Sequence, residues 1–172
     1  MSVIKLENFI KNKKKIYIAI DLDNTIINYA DCFKYYLSKY KLNFNDLYPI
    51  KNQLKKNLNH EKWKKIQGEV YGKLILKKAK LNYGFLKYLN KIDKTKFIIN
   101  LTSHKTINGH GLKKINLRDQ ANKFLKKNKV YDYFNQVYYF DSFKDKINHI
   151  NIYNYSIVID DLDKVLNQIS DK

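Results

Sequence analysis

The stretch Ile16-Tyr17-Ile18-Ala19-Ile20-Asp21-Leu22-Asp23-Asn24-Thr25 decides the fold. Its first five residues form an apolar, largely β-branched run, the pattern of a buried strand. Two carboxylates, Asp21 and Asp23, follow at spacing i and i+2, just where that strand ends. In an open parallel sheet, ligands bind beyond the carboxyl ends of the strands. Alternation points both side chains to one side of the chain, so the loop can aim both into one crevice. Taken alone, Asp-x-Asp fits a turn or a cap equally well, because Asp fills such positions readily.

Three more runs of this kind, at Lys96 to Leu101, Gln136 to Phe140 and Ser156 to Ile159, read as strands. Segments with helical periodicity lie between and after them. The alternating order predicts an α/β fold, a Rossmann-like and mostly parallel sheet with helices on both faces. Asn116 with Asp119 caps a helix from Leu117 to about Lys127, and Ser142 caps one running through Ile147 and Ile150. Leu162 to Ile169 closes the chain as a helix. The stretch from Asn28 to Asp93 is too long for one crossover helix. Leu37, Tyr40 and the run Glu61, Trp63, Ile66, Val70 and Leu74 have helical spacing, with Asn59 as a cap and Pro49 marking a turn. The chain therefore reads as one domain, with a core of about residues 1–27 and 94–172 and a small helical cap of about 28–93, inserted after the first strand.

The fourth run leads straight into Asp160-Asp161, which puts two more carboxylates at a strand end. Four acids converging on one sheet edge repel one another unless a cation joins them. Oxygen donors without a His or Cys cluster suit a hard divalent ion such as magnesium. On the same argument, Asp160→Ala is expected to stabilise the metal-free protein by removing a repelling charge. The second run ends in Leu101-Thr102-Ser103-His104-Lys105-Thr106, whose hydroxyls and successive amides can grip a phosphate oxygen or cap their own turn. Lys146, or its neighbour Lys144, can neutralise the acids and an incoming phosphate. His60, His110 and His149 are scattered without ligand spacing, and His104 alone lies beside these motifs. Trp63, Gln67 and Tyr71 fall on one helical stripe, which either packs the cap or faces the crevice.

Together, Asp21-Leu22-Asp23-Asn24-Thr25, Ser103, Lys146 and Asp160-Asp161 resemble, in order and spacing, the four motifs of the haloacid dehalogenase-like superfamily. Trp63, Gln67-Gly68, Val70-Tyr71-Gly72, Ser103-His104-Lys105-Thr106 and Asp160-Asp161-Leu162 further resemble a bacterial group whose genes often lie with surface-polysaccharide genes. The superfamily resemblance implies a magnesium-dependent phosphatase in which Asp21 attacks a phosphate monoester and briefly carries the phosphoryl group. Asp23 would act as acid and base, and Thr102, Ser103, His104 and Lys146 would bind the phosphate. The metal would be held by Asp21, the carbonyl of Asp23 and Asp160, with Asp161 a direct or water-mediated ligand. The Asp at position 23 separates this pattern from that of the dehalogenases.

Composition bounds the partners. The net charge is +18, but of 34 basic residues only Arg118 is arginine. Abundant Lys, Asn, Ile and Tyr fit drift towards AT-rich codons, so the charge has a compositional reading beside a functional one. Arginine is the preferred bidentate reader of bases and phosphates. Its scarcity argues against a nucleic-acid partner without removing one, and the positive field equally steers a small phosphorylated substrate. A lone Cys32 and an N-terminus without an apolar leader suggest a reduced, cytoplasmic setting. No apolar run approaches the ~20 residues of a membrane span. Two other readings share these features: a phosphatase of nucleotides or nucleic-acid ends, and a non-catalytic binding protein with the same fold.

Overall fold

The computed structural model describes residues 15–43, 49–109 and 115–169. His110 and residues 11–14 of the N-terminal basic cluster lie outside these. Along the chain come β1 (Ile16–Ile20), β2 (Ile27–Asn28), α1 (Ala30–Lys39), α2 (Ile50–Asn57), α3 (His60–Glu69), a π-helical turn (Val70–Leu74), α4 (Ile75–Lys78), β3 (Lys80–Leu81), α5 (Phe85–Leu89), β4 (Phe97–His104), α6 (Leu117–Lys127), a short turn of helix (Tyr131–Tyr133), β5 (Gln136–Phe140), α7 (Phe143–Tyr153), β6 (Ile157–Ile159) and α8 (Asp163–Leu166).

Four strands form a wholly parallel sheet in the order β5-β4-β1-β6. The fold is α/β, as the alternating pattern predicts. One sheet face carries Ile16, Ile18, Ile20, Ile99 and Leu101, which pack with Leu117, Ala121, Phe124 and Leu125 of α6 in the main core. Against the other face lies α7, which buries Ile147 and Ile150. Asn116 caps α6 by accepting from the amides of Arg118 and Asp119, and Ser142 caps α7 by accepting from that of Asp145. Both caps are those expected from the sequence, each satisfying amides that the first turn leaves without partners.

Two elements differ from the sequence reading. Strand β4 continues through Thr102, Ser103 and His104, because these residues pair with Tyr138, Tyr139 and Phe140 of β5. Their polarity hides this from a hydrophobic pattern, whereas the ladder satisfies their backbone groups regardless of side chain. The closing helix is α8, only four residues long, with Val165 its one buried side chain. A single apolar anchor does little to hold a longer helix, which needs a packed face.

The residues between β1 and β4 hold the antiparallel pair of β2 and β3, which brings the two ends of the helical segment together. Asn59 caps α3 by accepting from the amide of Lys62. Trp63 stacks on Phe33 with ring centroids 6.0 Å apart, so this member of the stripe packs α3 against α1. After β4 the chain passes so close to α6 that a Cβ at Gly109 would meet the Leu117 side chain at 2.5 Å. No helix among the described residues is long and apolar enough to cross a membrane.

Candidate active site

The carboxyl ends of β1, β4 and β6 meet at one edge of the sheet, with Asp21, Thr102 to Lys105, and Asp160-Asp161. The amide of Asp21 donates to the carbonyl of Ile159 at 2.8 Å, which ties the first carboxylate to the strand that delivers the last two. Beyond Asp21 the chain turns sharply. The amides of Ile26 and Ile27 both donate to the Leu22 carbonyl, and Asn24 takes a left-handed conformation at φ 65°. Asn tolerates this better than most residues. The turn lets the Asn24 amide group donate to Asp161 at 3.0 Å, and Asn82 braces it through the carbonyls of Asn24 and Thr25.

Two buried lysines organise the acids. Lys146, on the first turns of α7, donates to Asp21 Oδ1 at 2.5 Å and to Asp160 Oδ2 at 2.6 Å. Lys144 is exposed and borders a separate hollow beside α8. Lys105 grips both oxygens of Asp23, at 3.0 and 2.9 Å, and its ammonium lies 5.1 Å from the centre of the Tyr71 ring. The Tyr29 hydroxyl donates to Asp23 at 2.7 Å. Burial and the charge of Asp23 raise the Tyr29 hydroxyl well above its ordinary pKa, so it remains a donor. Burial pushes Asp21 up to about 7 although Lys146 pulls it down, and Asp23 and Asp160 push it further up. Burial weakens the Lys146 ammonium, but Asp21 and Asp160 more than offset this and hold its pKa above the ordinary value. Two of the cations that four clustered acids require are therefore side chains of the protein itself.

A hollow of about 220 Å³ opens above this edge. Asp21, Asp23, His104 and Lys105 line it from the strand ends, and Lys51, Gln67 and Tyr71 line it from α2, α3 and the π-helical turn. The helical stripe thus divides, with Trp63 packing while Gln67 and Tyr71 face the hollow. A π-helical turn is uncommon, and it is often found at functional sites. Thr102 and Ser103 do not line the hollow, and their buried hydroxyls have no hydrogen-bond partner. His104 does line it, with its Nε2 bonded to the Asp141 carbonyl at 3.0 Å and its ring against Phe143. That bond requires the proton on Nε2, and burial lowers the ring's pKa. The neutral ring then keeps only an acceptor at Nδ1, which works against the phosphate-binding role expected for it.

Asp21, Asp160 and Asp161 each place a carboxylate oxygen within 4.8 Å of the others. This oxygen-only set fits a magnesium ion. Lys146 engages Oδ1 of Asp21 and Asn24 engages Oδ2 of Asp161, and the other oxygen of each acid accepts no hydrogen bond from the described residues; Oδ1 of Asp21 keeps a lone pair that a metal could share with Lys146. Both oxygens of Asp160 already accept protein hydrogen bonds, from Lys146 and from the amide of Leu162. The side chain of Asp23 stands outside this group, engaged by Lys105 and Tyr29, so only its backbone carbonyl is left for such a role.

No protein-family model matches the sequence, and no curated protein sequence does. Solved structures match well. A haloacid dehalogenase-like family hydrolase from Streptococcus pneumoniae aligns with a TM-score of 0.59 at 14% identity, over 91% of this chain and 80% of that one. A superfamily hydrolase of subfamily IA from Geobacter sulfurreducens aligns with a TM-score of 0.57 at 7% identity, over 92% and 83%. This chain has the haloacid dehalogenase-like fold. Protein Tyrosine Kinase A from Mycobacterium tuberculosis is also similar, with a TM-score of 0.55 at 14% identity over 84% and 72%. Proteins with differently named activities share the haloacid dehalogenase-like fold, so activity has to be argued from the site.

Within this fold, reasoning from sequence finds the acids and Lys146 but gives Lys105 and Tyr29 no role. Neither stands out in a chain with 33 other basic residues and 14 other tyrosines, 34 and 15 in all. The signals available for Lys105 are its place in the run Ser103-His104-Lys105-Thr106 and its position shortly after the apolar run that ends at Leu101. The packing also reverses the expectation for Asp160→Ala. Its side chain is an acceptor for a buried ammonium and a backbone amide, not only a repelling charge. The variant should lose roughly 1–3 kcal/mol, the cost of leaving buried donors unsatisfied. Melting in EDTA should show a fall of about 2–4 °C per kcal/mol. A rise would mean that repulsion among the acids dominates.

Proposed function

We propose that this protein is a magnesium-dependent phosphohydrolase that cleaves a small phosphate monoester through an aspartyl-phosphate on Asp21. One observation carries the reading: the Asp21 carboxylate lines the hollow while Lys146 holds its Oδ1 from behind and Asp160 and Asp161 stand beside it. A carboxylate so oriented has its second oxygen available for in-line attack on phosphorus, with the ester oxygen leaving on the far side. Magnesium held by Asp21, Asp161 and Asp160 would offset the negative charge of the phosphoryl oxygens.

Asp23 lines the same hollow two residues on, its orientation fixed by Lys105 and Tyr29. It protonates the leaving oxygen and then takes a proton from the water that hydrolyses the acyl phosphate. Thr102 and Ser103 follow the last pair of β1 with β4, Ile20 and Leu101, and successive strand residues face opposite ways, so one of their two partnerless hydroxyls would bond a phosphoryl oxygen. The helical segment over the hollow acts as a cap that admits a small ester. A hollow of about 220 Å³ lies below the ~300–1,000 Å³ of sites for drug-sized ligands, which favours a small ester over a nucleotide or a nucleic-acid end.

Aryl phosphate hydrolysis should require magnesium and cease in EDTA. Asp23→Asn should keep magnesium affinity, since only its carbonyl would serve the metal, and should lower kcat by roughly 10²–10⁴-fold. Turnover equal to wild type would remove Asp23 from the proton transfers.

A further inference from the structure

The polar groups that the strand ends present to the hollow already have protein partners. Asp21 is bonded to Lys146, Asp23 to Lys105 and Tyr29, and His104 to the Asp141 carbonyl. Lys51 and Gln67 differ. Both line the hollow, both are half-buried, and both come from the helices above it. Neither has a hydrogen bond or ion pair with any described residue. Among the described residues, an ammonium and an amide are thus left without hydrogen-bonding partners on the helical side of a hollow of about 220 Å³, a space for a short organic group.

An ammonium without a carboxylate partner, partly shielded from water, attracts an anion more strongly than an exposed lysine does. An amide beside it adds a neutral donor, and together they suit the oxygens of a carboxylate or a second phosphate. The positive charge of Lys51 is felt at Asp161, which places it near the metal-binding acids without a contact to them. We infer that the substrate is a short phosphate ester bearing a second anionic group, and that Lys51, supported by Gln67, selects it. This rests on the phosphatase reading, which fixes the phosphoryl end at Asp21. The short reach from Asp21 to the helices above then sets the length of the carbon chain between the two anionic ends.

The test compares glycerol phosphate with the phosphoglycerate that carries a carboxylate in place of its terminal hydroxymethyl group. Wild-type protein with magnesium should favour phosphoglycerate in kcat/KM by roughly 10–100-fold, the worth of a charge-assisted hydrogen bond. Lys51→Met should bring that ratio close to one, acting mainly through KM, and Lys51→Arg should restore part of it. Melting curves check that each variant is folded. A wild-type ratio near one, or a ratio that survives Lys51→Met, overturns the inference, the latter because Lys51 would then serve the phosphoryl end common to both esters. Titration calorimetry with the same two esters reads recognition without turnover. If no ester is hydrolysed but phosphoglycerate binds preferentially through Lys51, the phosphatase reading fails while the recognition stands. Equal binding of both esters sinks the recognition whether or not either is hydrolysed.

Discussion

Asp21→Asn is expected to abolish phosphate ester hydrolysis, by roughly 10⁶-fold if the loss matches that of a nucleophile in other enzymes. The amide is a poor nucleophile and a weaker metal ligand, so both the covalent step and magnesium binding suffer. Stability should move the other way as pH rises. Burial raises the Asp21 pKa from 3.8 to about 7, so the native state binds this proton more tightly than the unfolded chain. Its contribution to stability is therefore complete below pH 3.8 and is lost as pH rises through about 7. The variant has no such group to ionise. Melting curves in EDTA should show the variant gaining on wild type as pH rises between these values, and magnesium should narrow the gap by binding the charged form in wild type only. A gap that does not change with pH would mean that Lys146 keeps Asp21 ionised throughout.

Lys146→Met is expected to be the most destabilising single change at the site. The ammonium is 1% exposed and lies between Asp21 and Asp160. Methionine leaves two buried carboxylates facing each other with no counter-charge. Removing one partner of a buried pair costs roughly 3–5 kcal/mol, or about 2–4 °C of melting temperature for each in a chain of this size. Lys144→Met, made in parallel, should change little, because Lys144 is exposed and forms no ion pair among the described residues. Equal losses from the two variants would contradict the arrangement around Lys146.

The sequence made the sheet legible because its strands are short apolar runs with few alternatives. Ile16 to Ile20 and Gln136 to Phe140 appear with the bounds expected. The helix starts were legible for a local reason: Asn59, Asn116 and Ser142 each accept from an amide two or three residues on. What eluded the pattern depends on distant residues. Thr102 to His104 join β4 only through pairing with β5, and α8 ends early for want of a packed face.

The same division runs through the site. Asp21, Asp23 and Asp160-Asp161 follow strands directly, so their convergence could be read from the chain. Lys105 finds Asp23 across 82 residues, and the choice of Lys146 over Lys144 depends on which face of α7 meets the sheet. His104 lay at the expected place, but its bond to Asp141 depends on the end of a neighbouring strand. That Trp63 packs while Gln67 lines the hollow depends on Phe33 of α1, which meets Trp63 and which the stripe itself does not specify.

The most direct test of the account is to trap the phosphoryl group. Protein with magnesium is mixed with excess aryl phosphate and quenched in acid during turnover, and the peptides are then analysed by mass spectrometry. The peptide containing Asp21 should carry one phosphoryl group, and borohydride reduction of the quenched protein should convert Asp21 to homoserine. Turnover with Asp21 unmodified, or a phosphoryl group found on any other residue, would contradict it.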